Sequence, residues 1–139
     1  MSFREKSTWI TLVTLALVAA FIVLNLPPLT LAPAPSPALF HVFGAGVVAF
    51  LVIAFVANLV VALRSPRDAR APKDERERLI ALKAASIAAP VYVVLSLASV
   101  SLIHLGANGI GVAWAVLFSF VIAEIVKCVA RIVYYRRGV

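Results

Sequence analysis

LFHVFGAGVVAFLVIAFVANLVVAL, residues 39–63, contains no charged side chain. As an α-helix rising 1.5 Å per residue this stretch is about 37 Å long, more than the roughly 30 Å of a bilayer's hydrocarbon core. A helix of that length in water needs a polar face. Apart from His41 and Asn58 this stretch has nothing to build one from. It therefore reads as a transmembrane helix, and Ser36-Pro37 ahead of it is an N-cap and first-turn pair.

Three further stretches pass the same length test. Residues 9–26 are uncharged, with Trp9 at one edge and Pro27-Pro28 stopping the helix at the other. Residues 79–105 carry Lys83 alone, and residues 110–135 carry Glu124, Lys127 and Arg131 near their end. Strict period-two alternation is absent, which excludes a porin-like barrel and leaves helices to satisfy every backbone amide in lipid. The expected fold is all-α: one domain over residues 1–139, an integral membrane four-helix bundle of two antiparallel hairpins. Its helices fall at about 8–26, 37–64, 73–105 and 110–135.

Composition agrees. Of 139 residues 63% are hydrophobic and 14% charged, with a mean hydropathy of +1.06, whereas a soluble domain carries roughly 25% charged residues. The net charge of +7 is not spread over a polar surface. Lysines and arginines crowd the N-terminal tail, the segment 64–78 and the C-terminus, while residues 27–37 and 106–109 carry no charge. By the positive-inside rule both termini and the loop 65–78 are cytoplasmic. Arg4 and Lys6 before an apolar run, with Ala32-Pro33-Ala34 further on, mimic a secretory signal. The run is long for a signal and Pro35 would directly follow the cut, so retention of the helix is expected. The single cysteine, Cys128, excludes an intrachain disulfide and reads as a small packing residue.

The inner loop is turn-like around Pro66 and Pro72. Asp74, Glu75 and Glu77 then place negative charge at a helix start, so the third helix begins in water. Asp74, Glu75, Arg76, Glu77 and Arg78 read in two ways: a solvated helix start, or a docking surface. Mixed sign argues against direct binding of nucleic acid and favours a protein partner.

Inside the fourth helix Glu124, Lys127, Cys128 and Arg131 share a face. An ionised carboxylate at that depth costs about 3 kcal/mol unless paired. Lys127 is the nearest partner, and Lys83 and Arg131 lie at comparable depth. The plain reading is an ion pair fixing the register of the last two helices. A proton or ion relay needs more than one buried carboxylate on a path. His41 and His104 lie at similar depth near the outer face and read as edge residues rather than as a haem or metal pair, so no cofactor is expected. Pro90 predicts a kink. Ser86, Ser96, Ser99, Ser101 and Asn58 can serve as polar glue, and Gly44, Gly46, Gly111 with Ala115, and Ser119 with Ala123 allow close helix approach.

The run from Asp74 through Ala84, and Ala123-Glu124-Ile125-Val126-Lys127 with Arg131 through Gly138, resemble the inner-loop and C-terminal signatures of an uncharacterised family of small multi-pass bacterial inner-membrane proteins. Genes of that family often lie beside Cro/CI-type helix-turn-helix regulators. The resemblance covers about half the chain, the first two helices matching in pattern alone, and it brings no activity with it. It implies a membrane partner for such a regulator. The residues themselves offer no Ser-His-acid set, metal-ligand spacing or phosphate-cradling glycine loop, so an enzyme is not expected. The leading expectation is an interaction protein in the lipid bilayer, with a cytoplasmic protein partner and self-association into a homo-oligomer. The alternatives are a small transporter or channel component using Glu124, Lys127 and Asn58, and an accessory subunit of a larger membrane complex.

Overall fold

The computed structural model describes residues 3–25, 37–64 and 74–137, all helical apart from the cap at Asp74 and a short turn. The elements are α1 (Phe3–Asn25), α2 (Pro37–Arg64), α3 (Glu75–Ser101), a 3-10 turn (Leu102–Leu105) and α4 (Gly109–Arg137). Three segments are long and apolar enough to cross a membrane: Glu5–Leu24, Glu75–Leu105 and Gly109–Arg137. Within α2 a shorter apolar stretch, Gly44–Ala57, stands out. Ser36, the loop segment 65–73 and the side chain of Asn58 lie outside the described residues.

Helix ends follow capping chemistry more than hydrocarbon length. The first helix begins at Phe3, ahead of the expected start near residue 8, because Arg4, Glu5 and Lys6 are good helix formers and Glu5 favours the first turn. Asp74 caps α3, its carboxylate accepting the Glu75 backbone N–H at 2.8 Å, while Arg78 N–H donates to the Asp74 carbonyl at 3.1 Å. Asp74→Ala is expected to cost about 1 kcal/mol, seen as faster hydrogen exchange at the first amides of α3. Unchanged exchange would mean that the cap contributes nothing.

The α3 helix stays α-helical through Pro90 and tightens into the 3-10 turn before Gly106, where a continuous helix to residue 105 was expected. Gly106 has φ 83°, a left-handed conformation that other residues adopt with strain. Its N–H donates to Ile103 at 3.0 Å, and the Ala107 N–H to Leu102 at 3.1 Å. Asn108 then opens α4, its side-chain oxygen accepting the Gly111 N–H at 2.7 Å.

This compact turn makes α3 and α4 an antiparallel hairpin. Lys83 meets Tyr134, Tyr92 meets Phe120 edge-on at 6.1 Å, and Ser99 meets Ser119. On its other side α4 packs against α1 through Leu15, Ile22, Trp114, Val121 and Cys128. Arg136 lies 5.9 Å from the Trp9 ring, so α1 is antiparallel to α4 as well. The second helix leans on α1: a Cβ on Gly46 would sit 2.8 Å from the Phe21 ring. An apolar groove of about 160 Å³ separates Thr14, Leu17 and Phe21 from Gly46, Ala49 and Ile53. The most extensive packing among the described residues is α3 on α4, then α1 on α4, then α1 on α2. The helices thus follow one another as a row, α2–α1–α4–α3, with α4 gripped on two faces and touched lightly by α2 as well.

Several hydroxyl groups are satisfied within this frame, whereas the buried Ser96 Oγ has no hydrogen-bond partner among the described residues. Ser99 and Ser119 are buried and 2.9 Å apart, and each also approaches its own helix's carbonyl four residues back, Leu95 and Ala115, at 2.8 Å. Two hydrogens serve three contacts, so one hydroxyl donates across the interface while the other donates along its own helix. Thr14 donates to the Ile10 carbonyl and Ser101 to that of Leu97 in the same fashion.

Candidate functional site

Because α1 and α3 both run antiparallel to α4, the start of α1, the start of α3 and the end of α4 meet at one end of the row. Every charged side chain that the structure describes lies toward that end: Glu5 and Lys6 on α1, residues 74–78 and Lys83 on α3, and Glu124, Lys127, Arg131, Arg136 and Arg137 on α4. The opposite end carries the 3-10 turn with exposed His104 and the start of α2 with exposed His41. No group of three metal-ligating side chains gathers among the described residues.

The charged end has two tiers. At the tip, Asp74, Glu75, Arg76 and Arg78 are exposed and Glu77 is partly covered, so five consecutive ionisable residues stand on the first turn of a helix. Their positions are held by the Asp74 cap and by Ile80, which is buried.

Deeper, on α4, Glu124 takes both of its hydrogen bonds from Lys127: the ammonium donates to Oε1 at 2.7 Å and to Oε2 at 2.9 Å. The two side chains are 26% and 27% exposed, so the pair is shielded but not sealed. Glu124 lies fifteen residues beyond Gly109, about 22 Å along the axis, a distance shorter than the roughly 30 Å thickness of a hydrocarbon layer. The other two members of the expected cluster go elsewhere. Lys83 sits 5.9 Å from the centre of the Tyr134 ring, a cation–π contact bridging α3 and α4. Arg131 is partly covered, and its Nε is buried with no hydrogen-bond partner. Cys128, on the neighbouring strip of the helix, is buried in the core with Leu15 and Val121.

Scans of family models, curated proteins and solved structures return no match to this chain. The site is thus described by its own geometry. It combines exposed charges of both signs, a carboxylate neutralised within its own helix, and cations near aromatic rings. Tyr134 and Asn108 take positions that the sequence reading did not assign. Tyr134 had a signal, since aromatic residues concentrate where a membrane helix meets water. Asn108 had one too, being a preferred N-cap residue between Gly106 and an apolar run.

Proposed function

We propose that this chain is a four-span protein of a bacterial inner membrane that presents the helix start 74–78 and its basic C-terminus to a cytoplasmic protein partner, without catalysing a reaction. The observation that carries the proposal is the gathering of all described charge at one end of the row, with Asp74, Glu75, Arg76 and Arg78 exposed at its tip. In a bilayer such an end faces the cytoplasm. Three helices have the length and composition to span, and in this reading α2, with its uncharged run at residues 39–63, is the fourth. The partner we favour is a small helix-turn-helix regulator, on the strength of the family resemblance in residues 74–84 and 123–138. Mixed charge on the dock fits a protein surface with its own mixed charge better than a nucleic acid.

Two measurements test this. In a Cys128→Ala background, single cysteines at positions 5, 78, 107 and 137 are labelled with a membrane-impermeant maleimide in intact cells. Position 107 alone is expected to react before lysis. Labelling at position 137 in intact cells would invert or break the topology. Charge reversal at Glu75, Arg76, Glu77 and Arg78 is expected to abolish co-purification of the regulator, and retained capture would discard the dock.

A further inference from the structure

We propose that the charged end of the groove between α3 and α4 binds the phosphate of an anionic membrane lipid, held by Lys83 and Arg131 with Tyr134 beside them. The proposal rests on the membrane reading above and adds a ligand to it.

The case begins with charge balance. Glu124 is the one carboxylate that the structure describes on α4, and both of its oxygens are taken by Lys127. That leaves Lys83 and Arg131 with no carboxylate partner among the described residues. Lys83 has an aromatic ring below it, which stabilises a cation without neutralising it. Arg131 has a buried Nε–H that donates to nothing. A buried, charged donor without an acceptor is costly, and the group that meets an arginine fork best is a planar or tetrahedral oxyanion.

Position selects the anion. At 100° of turn per residue, Trp114, Val121 and Cys128 share the α4 face turned to α1, while Ser119 and Tyr134 lie toward α3. Glu124, Lys127 and Arg131 fall on the flank between those faces, where each side chain stays partly exposed. Arg131 lies twenty-two residues beyond Gly109, about 33 Å along the axis, and Tyr134 lies about 37 Å along it. A 30 Å hydrocarbon layer starting at Gly109 ends just short of Arg131, so the two cations bracket the layer of lipid phosphates. Lipids tethered at that depth bring phosphate to the flank, whereas a dissolved anion must leave bulk water to reach it.

The test uses the full chain purified in a neutral detergent, with bound lipid counted by native mass spectrometry during titration with phosphatidylglycerol, phosphatidylcholine or inorganic phosphate. One phosphatidylglycerol per chain is expected, with neither phosphatidylcholine nor phosphate retained at the same concentration. Lys83→Gln with Arg131→Gln should weaken retention roughly 30-fold, and Lys83→Gln alone roughly fivefold. Arg136→Gln with Arg137→Gln removes the same charge outside the groove and should leave retention unchanged. Equal loss in both double variants would reduce the effect to net charge and overturn the site. So would equal binding of phosphatidylcholine, or displacement of the lipid by inorganic phosphate. Flotation with neutral phosphatidylcholine vesicles separates the two readings: if the chain does not float, the membrane reading fails, and if it floats without selectivity, this one does.

Discussion

Trp114→Ala is expected to lower the stability of the folded chain by about 3 kcal/mol, the low end of the range for removing a buried aromatic side chain. Trp114 is 1% exposed and stands at the centre of the α1/α4 contact with Ile22 and Val121. In water part of the loss would come from transferring the ring out of solvent. Between helices in lipid that part is absent, because the hydrocarbon outside is as apolar as the core, and what remains is lost contact and the void left behind. The midpoint of unfolding by sodium dodecyl sulfate, followed by circular dichroism, measures it. Leu97→Ala, at a position 65% exposed, should shift the midpoint by less than about 0.5 kcal/mol. Equal shifts in the two variants would mean that α1 and α4 do not form the core described here.

The Glu124–Lys127 pair gives the second large effect, and the expectation is lopsided. Lys127→Ala strands a carboxylate about 22 Å from the Gly109 end, on a stem too short to reach the headgroups, and should cost about 2 kcal/mol. Glu124→Ala strands a lysine one turn nearer the boundary, where a four-carbon stem carries the ammonium out to water, and should cost under about 1 kcal/mol. The double variant Glu124→Leu/Lys127→Leu should be at least as stable as the parent, since replacing both partners removes the burial cost together with the bond. Unfolding midpoints of the three variants decide this. If Glu124→Ala proves the more damaging single change, the carboxylate holds something other than Lys127.

Residues 9–26, 79–105 and 110–135 were legible as membrane-length helices because length and the lack of charge are one-dimensional properties. The i, i+3 spacing likewise made the Glu124–Lys127 contact legible, since it lies within one helix. Helix ends were less so: α1 reaches back to Phe3 and α4 on to Arg137 because polar residues continue a helix into water, where a hydrocarbon ruler has no mark. Contacts between helices were not legible. Lys83 on Tyr134 depends on hairpin register, which the left-handed Gly106 and the Asn108 cap set jointly. The row of helices was hidden for a related reason. In lipid the buried and the lipid-facing positions are equally apolar, so Val121 at 0% exposure and Leu97 at 65% carry the same signal in sequence.

The tight link at residues 106–108 also has a mechanical side. Two long rods joined by so short a hinge, and clasped along their length by Ser99 with Ser119 and Tyr92 with Phe120, tilt as one lever. A lever about 40 Å long that tips by about 10° sweeps its free tip through roughly 7 Å. Any tilt of the hairpin about that link would therefore show most strongly at the helix ends that carry Glu75 and Arg136.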